Sequence, residues 1–419
     1  MIKTYKSERF GASYTKYIHP SGLSCYLYSM PNFSSHYAVF GTKYGSVDNT
    51  FFVDGEKTVV PAGIAHFLEH KMFENEDGDA FEKFAKTGAY SNAYTSFDKT
   101  CYLFSCTKNF DKNLEILLNF VQSPYFTDKT VEKEQGIIGE EITMYDDMPT
   151  WRVFHNLLGG LYKDHPIKID IPGTRDTIAK ITPQLLYACH DTFYRPSNMF
   201  LCLAGPIDIE KTIEIINSNV KAEYKDAAQA IFLKEDENAF SSYEEEKMDV
   251  SKPLFSYGFK DDDKMRSTAE ATAVELMLKA MFSTVSPFYN ELLEEGLIDE
   301  NFSAEYLCGR GFNSIIFDGA SFNIPKVIEK IDCEICRVKR EGIPDDTFEA
   351  LKNGMLGAIA RSFNSAESMV NMFISCAMRD EELFEQIDAI INVTKEDAIK
   401  ALDKLNKSRS SLSVIKERS

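Results

Sequence analysis

A chain of 419 residues that is 44% apolar can bury a large core and is long enough for two or more domains. Its 46 basic and 65 acidic residues leave a formal charge of −19, which excludes a protein that tracks nucleic acid by neutralising phosphates and favours neutral or basic peptides as ligands. Nine cysteines, an odd number at irregular spacings, make no disulfide framework and fit reduced thiols in a reducing compartment.

Residues 1–20, MIKTYKSERFGASYTKYIHP, carry no apolar stretch of the kind that directs export. No later run is long enough to cross a bilayer, so the expected location is the cytoplasm, away from membranes. Short alternating runs over 21–53, CYLYSM and HYAVFGTKYGSV, predict antiparallel strands. A helix follows over about 62–73, with Pro61 and Gly63 near its start, then a second helix in GDAFEKFAKTG stopped by Gly88. AYSNAYTS and KTCYLFSCT read as two strands joined at Phe97 and Asp98. Helical patterns fill 110–123 and 128–161, a Pro- and Gly-marked stretch covers 165–174, and residues 199–203 form a buried strand.

The stretch 222–251 is polar, acidic and without apolar period, which marks a linker. Beyond it the order repeats: a strand in PLFSYGF, helices at about 267–283 and 286–295, strands in ENFSAEYL and NSIIFDGAS, helices to 405, and a strand at 412–415. Ile181-Thr182-Pro183-Gln184 before one helix and strand matches Val393-Thr394-Lys395-Glu396 before another. The expected class is therefore α+β, two similar domains at 1–221 and 252–419, each an antiparallel or mixed sheet packed on helices.

Chemistry concentrates in PAGIAHFLEHKMFE. On a helix His66 and His70 lie one turn apart on one face with Glu69 beside them, while Phe67 and Leu68 turn away. Two imidazoles, a third ligand from elsewhere and a nearby carboxylate that can take a proton from water are what Zn²⁺ requires in a hydrolase, here in the inverted H-x-x-E-H order. Such a match arises by chance in about one chain of this size in a hundred, so a second constraint is needed. It lies in TDKTVEKEQGIIGEEITMYDD, where Glu134 and Glu141 are seven apart and nearly in line on a helix, with Ile137 and Ile138 between them on a face expected to be buried. Glu140 points away from that line. Glu141 is thus the expected third ligand, and Glu134 a supporting acid that holds a ligand histidine or a neighbouring positive group.

Three other features compete. His155 lies in a helical pattern without an acid at ligand spacing, His165 precedes a proline in a turn, and both read as ordinary surface or packing residues. Cys333 and Cys336 form a lone C-x-x-C within a helix, for which incidental spacing in a packed core is the expectation.

HFLEH followed some seventy residues later by E-x-x-x-I-x-x-E resembles the pitrilysin/insulinase family of zinc peptidases, the inverzincins. The similarity runs through Ser91-Asn92-Ala93-Tyr94-Thr95, MYDDMPTWR, HPIKIDIPGT and FYRPSNMFLCLAGPID, closely over about residues 20–208. It implies one zinc per chain on His66, His70 and Glu141, Glu69 as general base, Glu134 as supporting acid, and two homologous α/β-roll domains forming half of a clamshell. It also implies that Asn92 and Ala93 hydrogen-bond a substrate backbone and that Tyr94 lines an apolar side-chain pocket. Members that complete the site in their second half place an Arg and a Tyr around Gly-Leu; aligned on Gly296 and Leu297, this chain holds Leu292 and Asp299 there, and neither can donate to a developing oxyanion. The resemblance is to the half-length, zinc-bearing chains of two-subunit members. The expectation is a zinc endopeptidase cleaving oligopeptides or unfolded segments beside a homologous zinc-free partner chain, with a homodimer as the other pairing. The alternative is a non-catalytic binding or assembly subunit that keeps the metal site.

Overall fold

The runs at 24–29, 36–42, 90–95 and 100–106 become strands of one sheet, with 36–42 and 100–106 buried on both faces and the alternating run 90–95 at an edge. The computed structural model describes residues 1–53, 55–76, 78–226 and 230–418. Two compact units emerge. One comprises Met1–Ile142, Asp170–Ile231 and Ala358–Glu385, and the other Thr143–Ile169, Phe232–Gly357 and Gln386–Ser419.

The first unit holds a seven-stranded sheet in the order Ile2–Ser7, Ala12–Ile18, Ser24–Ser29, Met199–Gly205, His36–Thr42, Thr100–Cys106, Tyr90–Thr95. Only Ser24–Ser29 with Met199–Gly205 is a parallel pair. Strand Met199–Gly205 is buried along its whole length, which is why it reads as an unbroken apolar run. The hairpin Ile2–Ser7 with Ala12–Ile18 was not anticipated, since its first strand is polar and largely exposed and offers no apolar face to read.

The second unit holds a five-stranded sheet in the order Tyr243–Met248, Ser410–Glu417, Leu254–Lys260, Phe312–Ala320, Ser303–Gly309. Its pairings are antiparallel except Tyr243–Met248 with Ser410–Glu417. Strand for strand, and in every direction, this repeats the five strands from Ser24–Ser29 to Tyr90–Thr95. Strand Tyr243–Met248 falls inside the stretch expected as linker; it is a charged edge strand whose Glu245 pairs with Lys416 at 2.7 Å and Glu246 with Arg152 at 3.2 Å.

The covering helices cross over between the halves of the chain. Pro149–Leu161, from the first half, packs on strands Ser410–Glu417 and Leu254–Lys260 of the second unit's sheet. Gly258 permits the approach: a Cβ there would lie 2.8 Å from Leu157. Ala366–Arg379, from the second half, covers strand Met199–Gly205 in the first unit's sheet. Its fully buried Phe373 lies 5.1 Å from the Tyr14 ring and 5.5 Å from Tyr26.

Two expectations are corrected. The pattern over 128–161 is two helices, Asp128–Asp146 and Pro149–Leu161, because Met148 precedes a proline and is extended at φ −94° and ψ 107°. Cys333 and Cys336 are exposed rather than packed in a core. On helix Ile324–Glu341 the buried stripe is Val327, Ile331, Ile335 and Val338, and the two thiols fall outside it. Among the described residues no helix is long and apolar enough to cross a membrane. The exchanged helix predicts that Phe373→Ala destabilises the protein by about 3–5 kcal/mol in urea titrations, with Phe373→Leu costing much less.

Candidate metal centre

Helix Ile64–Met72, the motif helix, is buried on nearly every side, so its polar residues must find partners inside the protein. Phe67 and Leu68 anchor it in the core, and the fully buried Lys71 pairs with Glu74, which also meets Lys133 at 3.4 Å. Gly63 caps its start at φ 89°, a conformation that favours glycine. Gly173 at φ 77° closes on the same turn, where a Cβ would lie 2.5 Å from the carbonyl oxygen of Ala62. The Pro-Gly stretch near 172 thus wedges the head of the motif helix in place, a role its sequence did not reveal.

The acidic helix Asp128–Asp146 buries Val131, Glu134, Ile138 and Ile142 on one stripe. Ile137, expected on that face, is 46% exposed, because one residue of helical rotation carries it off the stripe. Seven residues after Glu134, Glu141 reaches the motif helix. Its Oε1 lies 3.6 Å from His66 Nε2 and its Oε2 3.6 Å from His70 Nε2. Glu140 turns outward to Arg175 at 3.1 Å.

The three donor atoms of His66, His70 and Glu141 all lie within 4.8 Å of one another. Tetrahedral ligands about 2.1 Å from zinc stand about 3.4 Å apart, so the spacing fits that ion. The donor chemistry fits as well. Burial, aided by His70, holds the His66 imidazole neutral with its pKa pushed down to about 3. For His70, burial opposes the charge but the Glu134 hydrogen bond and the nearby carboxylates outweigh it and raise its pKa. Glu134 Oε1 sits 3.0 Å from His70 Nδ1, which fixes the ring with Nε2 towards Glu141. His66 Nδ1 is buried without a hydrogen-bond partner among the described residues.

Glu69 points into the same space. Burial pushes its carboxyl up to about 7, against the pull of His70 and of a hydrogen bond from Thr95. Thr95 Oγ1 donates to Glu69 Oε2 at 3.1 Å, a contact that sequence reading missed because it depends on strand and helix registers together. Strand Tyr90–Thr95 forms the free edge of the sheet. With Thr95 turned towards Glu69, strand alternation puts Ala93 on that face and Asn92 and Tyr94 on the other. The structure therefore gathers His66, Glu69, His70, Glu134 and Glu141 in one cluster and sets Asn92, Ala93 and Tyr94 along the adjoining edge. Leu292 and Asp299 lie in the second unit, one fully buried in its core and the other paired with Lys252 at 3.4 Å.

Comparison with known proteins gives a consistent picture. The family described as insulinase (peptidase family M16) matches residues 58–175, and the peptidase M16 inactive domain matches 180–355. A Bacillus subtilis chain named zinc protease YmfH is 41% identical over 406 residues, covering 95% of each chain. A crystal structure described as an M16-like peptidase from Alicyclobacillus acidocaldarius superposes with a TM-score of 0.93 at 34% identity, over 97% of this chain and 98% of that one. The periplasmic protease PqqL from Escherichia coli shares the fold, with a TM-score of 0.75 at 18% identity, over 99% of this chain but 48% of that one.

His155 and His165 stand apart from the cluster as buried packing residues. His165 lies among Tyr162, Phe232 and Phe312, accepts from the Ile167 amide at 3.2 Å, and is pushed down to about 4 by burial. Its neutral form is favoured in the folded state, so the associated stability is present above the unfolded value near 6.5 and is lost as pH falls towards 4. The expected loss from this group is about 2 kcal/mol between pH 7 and 5. His165→Asn, which keeps a helix-capping acceptor, should show a flatter decline in urea titrations over that interval.

Proposed function

This chain belongs to the insulinase (M16) family of peptidases, and on that premise we propose that it is a zinc-dependent endopeptidase acting on oligopeptides or unfolded segments. The observation that carries the reading is the pair of 3.6 Å separations from one Glu141 carboxylate to two imidazole nitrogens, with Glu69 beside them. His66, His70 and Glu141 would hold one zinc, which when bound supplies Lewis-acid activation of water and of the scissile carbonyl. Glu69 takes the proton from the attacking water on its carboxylate and returns it to the leaving amine. Thr95 holds that carboxylate by its hydroxyl, and Glu134 orients His70. Asn92 and Ala93 align a peptide added as a strand to the sheet edge, and alternate substrate side chains then face Tyr94.

With Leu292 and Asp299 at the positions of the oxyanion donors, a homologous chain bearing Arg and Tyr completes the site. Support comes from the match of this chain to 48% of PqqL, a protein about twice as long. The same two residues favour a second reading, a binding or assembly subunit that retains the metal but does not cleave.

Metal content and peptidase activity of wild type and Glu69→Gln, each alone and with an Arg/Tyr-bearing homologue, separate these readings. Zinc should be stoichiometric in both, with cleavage by wild type rising about 10²- to 10³-fold on addition of the homologue and falling at least about 100-fold in Glu69→Gln. Bound zinc without cleavage in any combination favours the binding subunit, and absence of zinc overturns both. Glu134→Ala should weaken zinc affinity about 10- to 100-fold in chelator competition without changing the metal stoichiometry at saturation.

A further inference from the structure

Beside the candidate metal ligands, helix Asp128–Asp146 leaves an apolar stripe in water to which the proposed reaction gives no task. The helix turns about 100° per residue, which puts the buried Ile138 and Ile142 about 60° and about 100° round from Glu141 on one side. On the other side Ile137 and Met144 lie about 40° and about 60° from Glu141. These two are 46% and 53% exposed. Residues three and four apart on a helix bring their Cβ atoms within about 5–6 Å, so both apolar side chains flank the Glu141 carboxylate along its solvent side.

The level of Ile137 along the helix is fixed independently. Glu134 and Glu141 both reach His70, at 3.0 and 3.6 Å, and Ile137 falls between them in the chain. It therefore stands level with that imidazole, on the outer side of the line that joins the two carboxylates. The ligands it borders are also those that solvent reaches. The side chains of His70 and Glu141 keep 26% and 23% of their surface, whereas that of His66 keeps 10%. The charges nearest the stripe are already engaged, Glu140 with Arg175 at 3.1 Å and Lys133 with Glu74 at 3.4 Å. What remains open next to the ligands is apolar, and covering it would be favourable for any group that brings apolar surface there.

Resting on the zinc-peptidase reading, we propose that Ile137 and Met144 form the wall of a side-chain subsite that selects substrates with a bulky apolar residue, such as leucine, methionine or phenylalanine, next to the scissile bond. Main-chain pairing along Tyr90–Thr95 tolerates many sequences, and this wall adds a preference at one position. An acidic side chain placed there would gain no partner on the wall and would meet the carboxylates of Glu69 and Glu141, so it is selected against.

The test measures binding and so does not depend on turnover. The zinc-loaded full chain is titrated calorimetrically with three acetyl-glycyl dipeptide hydroxamates whose second residue is glycine, leucine or aspartate. The hydroxamate engages the metal in all three, so the ratios of affinity report the side chain alone. The leucyl probe should bind at least about tenfold more tightly than the glycyl one, and Ile137→Asp should cut that ratio below about threefold while leaving the glycyl probe unchanged. Met144→Asp should lower the ratio in the same direction, and Ile137→Lys should bring the aspartyl probe above the leucyl one. Absence of a leucyl preference in wild type, or a preference that survives both aspartate substitutions, overturns the inference and leaves the peptidase reading standing. A chain that holds zinc but binds no glycyl probe lacks the open metal position on which both depend, and overturns both. A changed sedimentation coefficient in Ile137→Asp, with the ratios as in wild type, assigns the stripe to a subunit contact and overturns the inference too.

Discussion

The hydrogen bond of 3.0 Å between Glu134 and His70 is the contact on which the site depends. Glu134 lies on the buried stripe of the acidic helix, where an unpaired carboxylate would be costly, and His70 is the partner that makes its burial tolerable. The same bond joins the acidic helix to the motif helix and sets the face of the imidazole. Once that ring is fixed, helical spacing alone delivers the other donors: His66 one turn earlier on one helix and Glu141 two turns later on the other. Folding energy and metal geometry are therefore served by one interaction, which ties the packing of two helices to the chemistry between them.

The edge strand completes the arrangement from a third direction. Thr95 restrains Glu69, and the free edge beyond it offers backbone donors and acceptors next to the candidate metal ligands. In the proposed reading, a substrate recognised through its main chain would need little sequence identity, as short or unfolded peptides would allow. The motif helix itself contributes rigidity through full burial and a glycine-tight cap, so the donors are held before a metal arrives.

How much of this was legible in the sequence follows from which periodicities are local. The spacing of His66, Glu69 and His70 and that of Glu134 and Glu141 were readable because each lies within one helix, whereas nothing in either period says that the two helices meet. Thr95 was not readable, since its contact requires a strand register and a helix position that no single period encodes. Ile137 was placed on the wrong face because two adjacent isoleucines compete for one narrow stripe. Strand Tyr243–Met248 hid behind its charges, as edge strands do, and Cys333 and Cys336 were misplaced because the apolar stripe of their helix runs through Ile331 and Ile335. The duplicated sheet was visible as a repeating order of elements. The exchange of helices was not, because an amphipathic pattern says that a helix has a buried face without saying which sheet receives it.

That exchange governs when the protein can fold during synthesis. The first sheet lacks its cover until residues 366–379 have been made, although its last strand is complete at residue 205. At ribosomal rates of about 5–20 residues per second, the sheet waits for on the order of ten seconds with Tyr14 and Tyr26 uncovered. During that interval the nascent chain presents an open apolar sheet face, the kind of surface that chaperones bind and that drives aggregation when they do not. A piece of the gene that ends before residue 366 would therefore lack the helix that covers this sheet.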